Sequence, residues 1–287
     1  MTACFFASDL HGSIARYHAL FEAVKSERPA AVFLGGDLLP SHGRTQFDPG
    51  SFLDSYLRSH LETLRDQLGT DYPRIFLILG NDDPRVFESD VHELRDAGLC
   101  EYVHGNRADI DGYDVYGYAC VPPTPFLNKD WERYDVSRFV DLGCVSPEEG
   151  FRSVHCDMHE IRERTIAIEL EELVDQRPMD KAVLLLHTPP YQTKLDRAAL
   201  DGRFVDHAPM DVHVGSIAVR RFIEGRGPML TLHGHIHESA RLTGSWKDQI
   251  GKTWMLSAAH DGPELALVRL DLDNPGAATR ELIGVTS

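Results

Sequence analysis

Five short apolar runs in this chain each end on residues that can donate electron pairs to a cation. Phe5-Phe6-Ala7 leads into Ser8-Asp9-Leu10-His11, Val32-Phe33-Leu34 into Gly35-Gly36-Asp37, and Ile75 to Leu79 into Gly80-Asn81-Asp82-Asp83. Leu184-Leu185-Leu186 leads into His187-Thr188-Pro189-Pro190, and Leu230-Thr231-Leu232 into His233-Gly234-His235-Ile236-His237. Runs of this length, bounded by turn-forming residues, read as buried strands, here residues 2–7, 30–34, 74–79, 182–186 and 229–232. Amphipathic segments 13–26, 52–68, 157–174 and 216–224 read as helices. Strands that alternate with helices imply βαβ units and a mainly parallel sheet buried on both faces. Residues 109–119 read as a hairpin turning at Asp111-Gly112, and 252–256 and 264–270 as closing strands. The pattern is that of one domain, 1–287, more antiparallel in its second half, with insertions near 105–155 and 188–214.

Composition sets limits on function. The 287 residues carry 29 Lys plus Arg against 45 Asp plus Glu, a formal charge of −16. That field repels extended nucleic acid and anionic membranes, and no apolar run approaches the roughly 20 residues of a membrane span. The start of the chain lacks a basic, signal-like leader. Five scattered cysteines with no C-x-x-C pair argue against a disulfide scaffold or thiolate zinc site and fit a reducing cytoplasm. No repeat or heptad announces an oligomeric state.

In α/β sheets, ligands bind at the carboxyl ends of strands. The five strand ends therefore bring two Asp, one Asn and four His to one edge, set among glycines that allow close backbone approach. An oxygen and nitrogen donor set without cysteine suits Mn²⁺, Fe or Zn²⁺ better than a Ca²⁺ cage. Seven ligands exceed one tetrahedral site, but two adjacent ions sharing a carboxylate would use them all.

The ordered series Asp9-x-His11, Gly36-Asp37, Gly80-Asn81, His187 and Gly234-His235-x-His237 resembles the calcineurin-like metallophosphoesterases, and more narrowly the prokaryotic Icc-like phosphoesterases. The resemblance implies an α/β fold with a central β-sandwich of mixed sheets flanked by helices in four layers. It also implies a dinuclear centre of Mn, Fe, Zn or Ni. Asp9, His11 and His237 would hold the first ion, Asn81, His187 and His235 the second, and Asp37 would bridge them. Two such ions about 3.5–4 Å apart clamp a phosphoryl group, acidify a bound water for in-line attack, and reverse the local charge of an acidic protein. The implied enzyme is a metal-dependent phosphoric ester hydrolase acting on a small phosphate ester.

One position departs from the family. Its usual Gly-Asn-His block reads Gly80-Asn81-Asp82 here. A carboxyl with an ordinary pKa of about 3.9, held ionised by nearby cations, is a poor proton donor to a leaving group at neutral pH. Phosphodiesters and activated esters should therefore be favoured over alkyl monoesters. The insertion 188–214 offers replacement groups: His213 or His207 as acid, Lys194 or Arg203 to grip a phosphate oxygen, with Arg85 a further candidate. Competing readings are a nucleotide-type pyrophosphate hydrolase and a non-catalytic scaffold on the same fold, although a retired site would have lost ligands.

Other features read as structural. Gly251-Lys252-Thr253 imitates the end of a P-loop without its first glycine, since position 246 is Trp. His155 and His159, at i and i+4 on a helix but without the Glu of a zinc-protease motif between them, read as a solvated helix face. His233 suits a supporting or core role beside His235. Phe126, Trp131 and Tyr134 suit loop packing, and Arg162-Glu163-Arg164 a solvated face.

Overall fold

The computed structural model of the chain describes residues 2–40 and 48–285. In chain order it contains β1 (Ala3–Ala7), α1 (Ile14–Glu27), β2 (Ala31–Gly35), α2 (Pro49–Ser51), α3 (Arg58–Leu68), β3 (Arg74–Ile78), α4 (Glu88–Asp96) and β4 (Glu101–Tyr102). There follow β5 (Arg107–Ile110), β6 (Tyr113–Tyr118), α5 (Met158–Glu163), α6 (Ile166–Val174), β7 (Ala182–Leu186), β8 (Phe204–Val205) and β9 (Ala208–Pro209). The remainder is α7 (Ile217–Arg226), β10 (Leu230–His233), α8 (Ser239–Thr243), β11 (Lys247–Ile250), β12 (Thr253–Ser257), β13 (Leu265–Asp271) and β14 (Thr279–Ile283).

The strands build two mixed sheets of six, ordered β14-β13-β1-β2-β3-β4 and β11-β12-β10-β7-β6-β5. Each has parallel strands at its centre and antiparallel strands toward an edge. The sheets face one another through β2 against β7 and β3 against β6. Helices α1 and α3 lie over the first sheet, α6 and α7 over the second, completing the α/β sandwich that the resemblance implied. Residue alternation alone pointed to a single mainly parallel sheet. The chain divides because β6, arriving by the hairpin from β5, pairs with β7 rather than returning to β3.

Local sequence accounts for most boundaries. Residues of β2 and β7 are buried throughout, as central parallel strands covered on both sides require. Ser13, Thr165 and Ser216 cap α1, α6 and α7 by accepting the amide three residues on. Asp111 and Gly112 both take positive φ, 50° and 80°, which a two-residue hairpin demands. The single helix expected over 157–174 is two helices, because Thr165 restarts the capping and its neighbour Ile166 donates to the Tyr134 carbonyl. The expected helix 52–68 begins earlier, at Pro49 behind the Asp48 cap. Its Phe52–Leu57 stretch is π-helical and buries Phe52 and Tyr56 against Tyr17. Short elements such as β4, α4, β11 and β14 carry too weak a residue pattern to be legible in the sequence.

Candidate metal centre

The loops leaving β1 and β2 run side by side. Asp9 donates its amide to Gly36 O, His11 to Asp37 O and Gly12 to Leu38 O, all at 2.8–2.9 Å. Across the sandwich, Gly234 donates to His187 O in the same manner, at 2.9 Å. These zipped loops turn sharply: Asp9, His11, Asp37 and His235 take φ of 57°, 47°, 52° and 72°. Left-handed backbone at non-glycine residues is uncommon and collects at functional sites. Four of the seven donor residues hold it here, which no composition or periodicity could have signalled.

The turns bring the sequence-predicted donors together. Asp9, His11, Asp37 and His237 place one candidate ligand atom each within 4.8 Å of one another, and Asp37, His187 and His235 form a second such group. Asp37 belongs to both. Asn81 joins the second group, its Oδ1 lying 3.1 Å from His187 Nε2.

The donor chemistry fits cations. Asp9 Oδ2 and His11 Nδ1 are buried with no hydrogen-bond partner among the described residues. His187 donates Nδ1–H to Gly35 O at 2.7 Å, so in its neutral form Nε2 carries a lone pair. That lone pair faces two further acceptors, Asn81 Oδ1 and, at 3.3 Å, Asp37 Oδ2. Burial drives His187 toward the neutral form, yet the Asp37 and Asp9 charges outweigh it and push the pKa up to about 10. The same field brings Asp37 down to about 2 against its own burial, through His187 and His11. Asp9 is held far below the carboxylate range, its burial overcome by a 3.2 Å contact with His237 and by the other histidines. Burial, then the His187 charge, lowers His235 to about 3 and keeps it a neutral donor. The cluster concentrates acceptors where positive charge is most stabilised.

Glycines make room for this. A Cβ at Gly80 would overlap Asp37 Oδ1 and stand 2.8 Å from His187 Cε1; one at Gly234 would stand 2.6 Å from Asp9 Oδ2.

Two supporting residues carry little signal in the sequence. Asp83 is fully buried and accepts three amides: Leu38 at 3.1 Å, Leu39 at 2.7 Å and Gly80 at 2.8 Å. It staples the loop after β3 to the loop after β2, although burial and the Asp37 charge push its pKa up to about 8. Its only signal was a second acid following Asp82. Arg16, on α1, donates to Asp9 O at 2.6 Å and to the carbonyls of Gly262 and Pro263, clamping the β1 loop to the one after β12.

The candidates around the metal ligands separate. Asp82 lies in the cluster: its amide donates to Asp37 Oδ1 at 2.8 Å, and its carboxylate, 39% exposed, stands 3.6 Å from His11 Nδ1. Partial burial and the Asp37 charge raise its pKa. His213 is held in its own loop by fully buried Asp196, Nδ1 to Oδ1 at 2.8 Å, with its ring against Tyr191. Lys194 and Arg203 are exposed, and His207 forms the tip of the β8–β9 hairpin. Arg85 pairs with Glu88 and lies over the Trp131 ring at 5.0 Å. No described contact joins these five residues to a metal-ligand side chain.

The features read as structural have structural surroundings. Gly251 and Lys252 form the turn between β11 and β12, and Thr253 opens β12 paired with Ile250. His155 precedes α5 and only His159 is helical, so the pair does not share a helix face. His233 is buried, bonded to Thr188 O and Thr231 Oγ1. Tyr134 is buried and bonded to Ser146 and Glu148 of its own loop, Trp131 is buried in the main core against His104 and Arg85, and Phe126 is exposed. Arg162 and Arg164 lie on the surface, paired with Glu148 and with Glu169 and Glu172.

Residues 4–239 match the family model described as calcineurin-like phosphoesterase. Among solved structures, TT1561 of Thermus thermophilus superposes with a TM-score of 0.58 at 16% identity, covering 99% of both chains. A second solved chain gives 0.59 at 17% identity, again over 99% of both. At that identity the likeness shows a shared fold. An archaeal phosphodiesterase, 9% identical over 98% of this chain and 99% of its own, gives a TM-score of 0.43, too low to carry an argument. No curated protein matches the sequence.

Proposed function

The chain belongs to the calcineurin-like phosphoesterases and is a metal-dependent phosphoester hydrolase, and from that premise we propose a dinuclear enzyme that favours phosphodiesters. The observation that carries the dinuclear reading is the position of Asp37, common to two groups of candidate ligands. Asp9, His11 and His237 would hold one ion, Asn81, His187 and His235 the other, and Asp37 would bridge. Bound there, divalent cations supply Lewis acidity toward phosphoryl oxygens and a water acidified enough to serve as nucleophile. Mn²⁺, Fe, Zn²⁺ and Ni²⁺ all suit the donor set.

The protein's own part is preorganisation. The Gly35 carbonyl fixes the His187 tautomer and aims Nε2 inward. Arg16 holds the left-handed turn at Asp9 from behind. Asp82 occupies the position from which family members present a histidine. An ionised carboxylate there accepts protons but gives none, so leaving groups that depart without protonation are preferred. The five free cysteines and the net charge of −16 support a cytoplasmic enzyme acting on a small ester rather than on extended nucleic acid. We take the whole chain as one catalytic domain, with the 105–155 and 188–214 segments shaping its pocket.

The test is turnover by metal-stripped protein with Mn²⁺, Ni²⁺, Zn²⁺ or Mg²⁺ restored singly, on bis-p-nitrophenyl phosphate, p-nitrophenyl phosphate, an alkyl phosphomonoester and a dinucleotide pyrophosphate. Restored activity that favours the diester, spares the alkyl monoester and vanishes in Asp37→Ala is expected. A preference for the alkyl monoester would refute the leaving-group argument. Turnover of a dinucleotide pyrophosphate alone would select the anhydride reading, and two bound ions with no turnover on any of these would favour a scaffold.

A further inference from the structure

The carboxyl edge that carries the metal ligands does not stop at β3 and β7. One strand further out on each sheet, β4 runs into Val103-His104 and β6 into Ala119-Cys120, and both pairs emerge at that edge. His104 bridges to Gly117, joining the two sheets there. Beyond Trp131, which donates its indole N–H to Asp83 O at 2.8 Å, lies a cavity of about 610 Å³. That volume falls in the ordinary range for a small-molecule site.

Its inner wall holds unspent donors. Arg133, 5% exposed, gives Nε to Glu169 at 3.5 Å and Nη1 to the Glu132 carbonyl, leaving Nη2 without a partner among the described residues. Arg85 spends only Nε, on Glu88, and both terminal nitrogens are likewise without a described partner. His104 accepts the Ala119 amide on Nδ1 at 3.0 Å, so its proton sits on Nε2, a third donor with no described partner. Acidic residues are present, but their placement differs. Glu169 is engaged by Arg133, Arg164 and Tyr118. Glu172 pairs with Arg164, and it and Glu160 are exposed at the mouth. The open guanidinium fork of Arg85, Arg133 Nη2 and an imidazole N–H thus line the cavity, with the carboxylates engaged at the side or turned toward solvent.

We propose that this cavity is a second ligand site, separate from the metal centre, for a small molecule presenting an oxyanion: a phosphoryl or carboxylate group. The planar Arg85 fork recognises either group bidentately, and Arg133 Nη2 and the neutral imidazole each add one directed donor. The acids at the mouth would exclude large polyanions while admitting a compact one.

Calorimetric titration of the full-length protein tests this, after metal has been stripped and the chelator dialysed away, with inorganic phosphate and citrate as probes. Saturable one-site binding of either is expected; phosphate alone identifies a phosphoryl ligand, citrate alone a carboxylate. Arg85→Gln should weaken binding at least about tenfold, the loss of one charge-assisted fork. Arg85→Lys, which keeps the charge but not the fork, should weaken it less. Asp37→Asn should leave it unchanged, because that residue belongs to the metal centre. Circular dichroism checks that each variant is folded. Binding of neither probe, binding that survives Arg85→Gln, or binding lost in Asp37→Asn would overturn the proposal.

Discussion

Replacing Asp83 with alanine removes the common acceptor of three buried amides, those of Leu38, Leu39 and Gly80. Each amide left without a partner in the interior costs about 1–3 kcal/mol. Relief of the buried carboxylate, which stands against the Asp37 charge, returns part of that. The net expectation is a loss of about 3–5 kcal/mol, large for a single site. Asparagine refines the argument. Oδ2 serves both Leu38 and Gly80, whereas Oδ1 serves Leu39 alone. An amide can keep the two-amide side only by turning its NH₂ toward the Leu39 N–H, so Asp83→Asn should cost about 1–3 kcal/mol, between wild type and alanine. The assay is urea unfolding of metal-free protein at fixed pH, so that ion binding does not add to apparent stability. A shift in midpoint at constant slope isolates the change. The staple also sets Asp37 and Asn81 relative to each other, so metal affinity should fall in the same order. A loss below about 1 kcal/mol for alanine, or equal losses for both variants, would refute the claim that these three hydrogen bonds hold the two loops together.

Gly80→Ala should be more damaging to metal binding than to folding, since its methyl group would fall on Asp37 Oδ1; overpacking of this kind costs about 1–3 kcal/mol, and calorimetry with Mn²⁺ should find affinity reduced at least about tenfold. Buried His233 has its pKa lowered to about 4, chiefly by burial. Its folded value lies below its unfolded one of about 6.5, so stability is fully present above pH 6.5 and is lost as pH falls toward 4. The loss amounts to about 3 kcal/mol, and His233→Gln should flatten that part of the pH profile in chemical denaturation. Lys129 and Glu132 form a buried pair, 0% and 1% exposed, at 2.6 Å. Lys129→Met alone should cost about 3–5 kcal/mol by stranding Glu132, and the double variant Lys129→Met/Glu132→Gln should recover most of it in the same unfolding assay.

The sequence made the candidate metal ligands legible because each lies just after an apolar strand, and strand periodicity is a local signal. Asp9, Asp37 and His187 could be placed on one edge without knowing how many sheets supply it. The division into two sheets was not legible from alternation, because it depends on β6 pairing with β7 across more than 60 intervening residues of loop and helix. For the same reason Arg16 and Asp83 passed as ordinary helix and loop residues. Their partners, the carbonyls of Asp9 and Gly262 and the amides of Leu38 and Leu39, are backbone groups that carry no residue-type signature. Nearness to Asn81 in sequence points Arg85 toward the phosphate site. The turn at Pro84 and the Arg85–Asp130 hydrogen bond instead direct the segment to the other side of Trp131.

That division of labour has a physical cause. A metal ligand must offer a side-chain atom, so the type of residue is constrained and the sequence displays it. The geometry of the centre, by contrast, is set by left-handed turns at Asp9, His11, Asp37 and His235, each of which costs free energy. Turns of that kind persist only where the surroundings over-determine them. Here the surroundings are amides zipped between neighbouring loops, the three-amide staple of Asp83 and the Arg16 clamp. The strain at the donors and the buried polar supports behind them are therefore one device. Substitutions in the supports should loosen the centre as surely as substitutions in the ligands, but through metal affinity and stability together rather than through the loss of a donor atom.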